Sequence, residues 1–146
     1  GAKVEIETLP GYMPLRNDKN MKAIFKANAE DLFGANDYTE IGHQAGSTDM
    51  GDLSLLMPVL HPYIGGATGG FHSAEWHISD KDMGYLAPAK SLAMLAVDLL
   101  YGQAEKAQEV LEEYQPELSK EEYISLQDQV FQTEVYDGES GQSELK

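Results

Sequence analysis

Four histidines, His43, His61, His72 and His77, hold the side chains that titrate nearest neutral pH, and imidazole is the commonest protein ligand for a metal ion. A catalytic zinc takes about three protein ligands and keeps one position open, so any of these imidazoles needs partners. His72 and His77 are five apart, which puts them on opposite faces of a strand and off the shared stripe of a helix. They do not chelate as a local pair. Partners must come from farther away, and Asp49, Asp52 and Glu75 are the acidic candidates nearest in sequence. With no cysteine in the chain, thiolate sites and disulfides are excluded, and the redox compartment stays open. A histidine-rich metal buffer is disfavoured too, because the four imidazoles are spread from position 43 to position 77.

Ser47 and Thr48 follow Gly46 and precede a predicted helix. Hydroxyls and free backbone N–H groups there suit a helix cap or a carboxylate-binding turn equally. Asp49-Met50-Gly51-Asp52 lacks the acidic spacing and later glutamate of a calcium loop. Phosphate loop, dinucleotide fingerprint and Gly-x-Ser-x-Gly elbow are all missing. The run Gly65-Gly66-Ala67-Thr68-Gly69-Gly70 has four glycines in six residues, which fits either a surface loop or a close approach of backbone or ligand.

The elements that would carry these groups follow from periodicity. Lys3 to Thr8 alternates as a half-buried strand, ended by Pro10-Gly11. Asp18 caps a helix with Met21, Ile24, Phe25, Asn28 and Leu32 on one stripe, stopped by Gly34. Residues 38–42 read as a short strand, 49–56 as a helical turn or short helix and 58–64 as a buried strand. From 80 to about 102 a long helix is expected, kinked or restarted at Pro88. It is apolar nearly all round between Leu92 and Leu100, as a helix covered on every side would be. Two amphipathic helices follow, separated by Pro116, the second opened by a Ser119/Glu122 capping box. Residues 137–146 hold too little apolar material to offset ordering entropy and are expected to be disordered.

The 146 residues suffice for one compact core. Twenty-five acidic against ten basic residues give a net charge of −15, which argues against nucleic acid as a partner. The longest apolar run, 91–100, is interrupted by Asp98 and is far short of the roughly 20 residues a bilayer span needs. A soluble, cytoplasmic protein without a membrane partner is expected. The glutamates between 105 and 122 read as solvated helix faces.

Three segments in order carry a resemblance: Gly46-Ser47-Thr48-Asp49-Met50-Gly51-Asp52-Leu53-Ser54, Met57-Pro58-Val59-Leu60-His61-Pro62, and Phe71-His72-Ser73 before a long helix. Over about residues 3 to 101 the chain resembles the C-terminal part of the metal amidohydrolases of the peptidase M-twenty group, which includes aminoacylases, carboxypeptidases and aminobenzoyl-glutamate hydrolases. The resemblance implies an α/β fold, a small mixed β-sheet packed with helices like the C-terminal half of a zinc-exopeptidase catalytic domain; the C-terminal helices that follow lie outside it. Residues 1–16 would be the final strand and exit of a lid and dimerisation domain, 17–102 the C-terminal part of the catalytic domain, 103–136 an acidic helical extension, and 137–146 the tail.

The same resemblance makes His72 a ligand to one of two zinc ions, with manganese or cobalt as alternatives, and makes Ser47, Thr48 and Asp49 substrate-orienting residues. The complete enzyme would be a homodimer that hydrolyses the amide bond of an N-acyl amino acid or small peptide with a zinc-activated water. The family's first histidine ligand, bridging aspartate and paired glutamates come earlier in such chains, and nothing before Gly46 matches them. No catalytic residue is therefore assigned, and the isolated chain is expected to be inactive. The alternative is a non-catalytic module that self-associates or docks to a partner.

Overall fold

The computed structural model describes residues 1–42 and 46–145. The chain is a mixed α/β structure of five α-helices and two small antiparallel sheets. The elements run β1 (Lys3–Thr8), α1 (Lys19–Phe33), α2 (Asp49–Leu53), β2 (Ala67–Thr68), β3 (His77–Ile78), α3 (Ala87–Leu100), α4 (Glu105–Glu113), α5 (Lys120–Val130), β4 (Gln132–Asp137) and β5 (Gln142–Leu145).

Local chemistry sets the helix ends as expected. Asp18 Oδ1 accepts from the N–H groups of Asn20 and Met21, at 2.9 and 2.8 Å, and so opens α1. Gly34, at φ 101°, closes it in a conformation a side chain would resist. The predicted long helix runs on without a break: Asp82–Leu86 winds as a π-helical segment that passes directly into α3, with Pro88 in the first turn after the junction. The Ser119/Glu122 capping box is formed at α5.

A small core joins α1, α3, α4 and the segment after α2, with Val110 of α4 among its buried side chains. Phe25, Ala29, Leu55, Val59, Ala87 and Leu95 are buried, and Ser91 is fully enclosed with its hydroxyl donating to the Ala87 carbonyl at 2.8 Å. Buried Asn28 donates to Asp98 Oδ2 at 2.9 Å and so ties α1 to α3; Lys106 reaches Asp98 Oδ1 from α4 at 3.3 Å. The segment before α1 is pinned to α2: Arg16 N–H donates to Ser54 Oγ, which donates to the Gly51 carbonyl. Gly51 lies so close to the Met13 carbonyl that a Cβ would overlap it. Tyr114, just after α4, donates to the Ser54 carbonyl at 2.8 Å, and the Arg16–Glu117 ion pair fastens the loop before α5 to the same region.

Four expectations are corrected. The sheets are antiparallel, not mixed: β1 pairs with β4, and β4 with β5. Residues 38–42 and 58–64 are not strands. In 58–64 the backbone is held instead by single bonds, the Val59 carbonyl accepting from Asp18 N–H and His61 N–H donating to Asn17 Oδ1 at 2.7 Å. An apolar run without a neighbouring strand has no ladder to join. Residues 137–145 form a hairpin where disorder was expected. Asp137 Oδ1 accepts from Glu139 N–H, the Asp137 carbonyl accepts from Gly141 N–H, and Gly141 takes φ 68°. That Asp/Gly turn chemistry outweighs the poor hydrophobicity of the segment. Finally, α3 is covered on one side only, with Leu92, Val97 and Leu100 exposed.

The exposed area is correspondingly large. The chain presents 10576 Å² to solvent, against roughly 7,400 Å² for a compact monomer of this size.

Candidate functional site

The Gly46 turn and the His61 segment meet through two side chains. Thr48 caps α2, its Oγ1 accepting from Met50 N–H at 3.1 Å, and the same Oγ1 lies 3.4 Å from His61 Nδ1. The His61 ring stacks on Tyr63, with centroids 5.2 Å apart and planes 27° apart. Asn17, the residue before the α1 cap, holds the His61 backbone. A threonine hydroxyl that accepts from the backbone has its own proton left to give. It can give that proton to Nδ1 or accept one from it, according to the imidazole tautomer, and Nε2 is the ring nitrogen left for a further partner.

Thr48 and His61 line an open cleft of about 500 Å³ between α1 and the 60–65 segment. Phe25, Phe33 and Leu60 give it apolar walls, and Asn17, Lys22 and Glu40 supply polar groups. Lys22 and Glu40 are paired at 2.9 Å. The bond and charge of Glu40 push the Lys22 ammonium above its ordinary value, and Lys22 draws the Glu40 carboxyl below its own. Tyr38, also in the wall, is pushed up by burial first and by Glu40 second.

The other residues singled out in the sequence lie elsewhere. Ser47 is exposed and outside the cleft lining. Asp49 borders a separate shallow depression with Tyr12, Asp52, Leu53, Leu56 and Tyr123. Within that depression Tyr123 donates to Asp52 Oδ1 at 3.0 Å, and burial together with that carboxylate pushes the Tyr123 phenol up. His43 lies outside the described residues.

His72 is exposed in a turn built by Ser73, whose N–H and hydroxyl both donate to the Gly70 carbonyl, at 3.2 and 2.8 Å. Its φ of 61° is one that side chains other than glycine resist. His77 turns its Nδ1 to the Glu75 carbonyl at 2.7 Å. Among the described residues no three histidine, aspartate or glutamate side chains gather where one ion could be held. His72 thus offers one donor of the three or four a zinc centre needs, and the described residues do not by themselves fit such a centre.

His61 and Asn17 were not among the predicted site residues. The signal for His61 was its place in the Val59-Leu60-His61-Pro62 motif; Asn17 has none, since its role depends on where 58–64 passes.

Comparison with known proteins gives hydrolases. The chain is 28% identical over 92 residues to Xaa-Arg dipeptidase of Homo sapiens, covering 60% of this chain and 21% of that protein. It is 29% identical over 107 residues to the uncharacterized hydrolase y4tI of Sinorhizobium fredii, covering 70% of this chain and 26% of that protein. The chain therefore spans about a fifth to a quarter of the length of the relatives it matches. No family model and no solved structure matches it.

Proposed function

We propose that this chain is part of a metal-dependent amidohydrolase of the peptidase M-twenty kind, which cleaves the amide bond of an N-acyl amino acid or small peptide. The observation that carries the reading is the meeting of Thr48 and His61 in an open cleft, within the segments that resemble that family. Likeness to a dipeptidase and a hydrolase supports it.

In this reading the chain's own residues bind and orient. Thr48 and Tyr63 together orient the His61 ring, one by its hydroxyl beside Nδ1 and the other by stacking, and the ring's Nε2 side is turned to a polar group of the substrate. The apolar walls from Phe25 and Phe33 exclude water from the bound acyl or side-chain group. His72 contributes one imidazole to a zinc, manganese or cobalt ion whose other ligands come from outside the described residues. Such an ion would polarise the amide carbonyl and acidify a water.

Zinc titration calorimetry and an amidase assay on the purified 146 residues test this division of labour, with N-acetyl amino acids and an Xaa-Arg dipeptide as substrates. No tight zinc site and no zinc-stimulated hydrolysis is the expected result. Tight one-to-one binding lost in His72→Ala, or robust hydrolysis, would overturn it. A second reading, a non-catalytic module, is favoured by one observation, the uncovered side of α3.

A further inference from the structure

In the π-helical turn Asp82–Leu86 the Ala87 N–H reaches back five residues to the Asp82 carbonyl. Such turns recur at functional sites, and the wider turn rotates the side chains before it relative to those after it. Here it is fixed from outside. The Gly66 carbonyl accepts from the N–H groups of Ser79 and Asp80, at 2.9 and 3.0 Å. Asp80 then caps the turn, its Oδ1 accepting from Met83 N–H at 3.0 Å and its carbonyl from Gly84 N–H at 2.8 Å. Both glycines at this junction are needed. A Cβ on Gly66, at φ 108°, would lie 2.6 Å from Gly84 N, and one on Gly84 would lie 2.6 Å from the Ile78 side chain.

One side chain of the turn lines the cleft, and it is Met83. Its neighbours Asp82, Tyr85 and Leu86 are exposed, whereas Met83 is half-buried, as is Ile64. Met83 joins the lining where the 60–65 wall ends, beside Gly66, and His61 stands near the beginning of that wall. From Tyr63 to Thr68 the chain carries no charged side chain. The charged groups of the cleft wall, Lys22 and Glu40, are paired with each other.

We propose, resting on the reading of this cleft as an amide-substrate site, that Met83 is a specificity-determining residue, which with Ile64 takes an unbranched aliphatic chain of the substrate. Three observations select that chemistry. A cleft of about 500 Å³ is of the size that holds a drug-sized ligand, so an acetylated alanine leaves much of it unfilled. A carboxylate or amide placed against Met83 and Ile64 would lose water without gaining a partner from either side chain, whereas methylene groups lose nothing. The methionine side chain is unbranched and adaptable, so it packs along a chain of variable length. The aliphatic chain can belong to the acyl group or to the amino acid, and the two are told apart by experiment.

The test is a nuclear magnetic resonance titration of the full chain, carbon-13 labelled at its methionine methyl groups, with two ligand series. One lengthens the acyl group of N-acyl-L-alanine from acetyl to hexanoyl; the other lengthens the side chain of the N-acetyl amino acid from alanine to norleucine. Affinity should rise along one series, by up to about fourfold for each methylene. The Met83 methyl signal, identified by its absence from the Met83→Leu spectrum, should shift with the longer members. Met83→Gln keeps the length of the side chain and should flatten the rise, Met83→Leu should keep most of it, and Leu111→Gln, at an exposed position on α4, should not alter it. Affinity indifferent to chain length in both series, a silent Met83 methyl, or a rise undiminished in Met83→Gln would overturn the proposal and leave the amide-substrate reading standing. Failure of every ligand to bind would overturn that reading and the proposal with it.

Discussion

At the scale of single residues, Thr48 and His72 both do something a spacer would not. Thr48 is cap and cleft wall at once. Thr48→Val removes the acceptor for Met50 N–H and should cost about 1 kcal/mol in chemical denaturation. Thr48→Ser keeps the oxygen and should cost much less. Equal losses in the two variants would mean that the methyl packing, not the cap, matters. His72 holds a left-handed backbone, so His72→Gly should leave stability unchanged or raise it by up to about 1 kcal/mol, whereas His72→Val should lower it. If glycine destabilises, the imidazole itself is making contacts that matter to the fold. The caps at Asp18 and Ser119 were legible in the sequence because capping depends on residues within one turn. The Thr48–His61 contact was not, because the pair lies 13 positions apart, across α2 and the irregular segment after it.

At the scale of elements, helices were read well and strands poorly. Helices α1, α4 and α5 satisfy their backbone internally, and their apolar spacing is sufficient evidence for them. The run 58–64 looks like a strand but has no partner beside it, and pairing is not a property of the run itself. The β4–β5 hairpin was hidden for the opposite reason: turn chemistry at Asp137 and Gly141 outweighs a weak hydrophobic pattern. Two element contacts can be tested. Gly51→Ala drives a methyl into the Met13 carbonyl. It should destabilise the packing of α2 on the segment before α1 by more than 2 kcal/mol, read as a lower denaturation midpoint. Asp98 joins α1, α3 and α4; the Asn28 amide first, and Lys106 after it, hold its carboxyl below the ordinary value. A depressed carboxyl contributes stability that is fully present above the unfolded value, about 3.9, and is lost as pH falls through the folded one. The advantage of the native chain over Asp98→Asn should be about 1 kcal/mol near neutrality, allowing for partial exposure. It should fade below about pH 4, and a gap that widens in acid would refute the assignment.

At the scale of the whole molecule, the chain spans about a fifth to a quarter of the length of the hydrolases it matches and leaves many large apolar side chains uncovered. Those on α3 and on β1, where Val4 and Ile6 stay nearly half exposed, belong to regular elements. The proposed function gives substrate binding to the cleft where Thr48, His61 and Tyr63 meet. The most direct test is a nuclear magnetic resonance titration of this chain with N-acetyl-L-alanine, following the His61 imidazole signals in the native chain and in Thr48→Val. The account predicts a saturable shift at His61 that is weakened in the variant, with no comparable change at His77. No response at His61, or the same response with and without the Thr48 hydroxyl, would contradict the claim that this cleft is where the substrate is held.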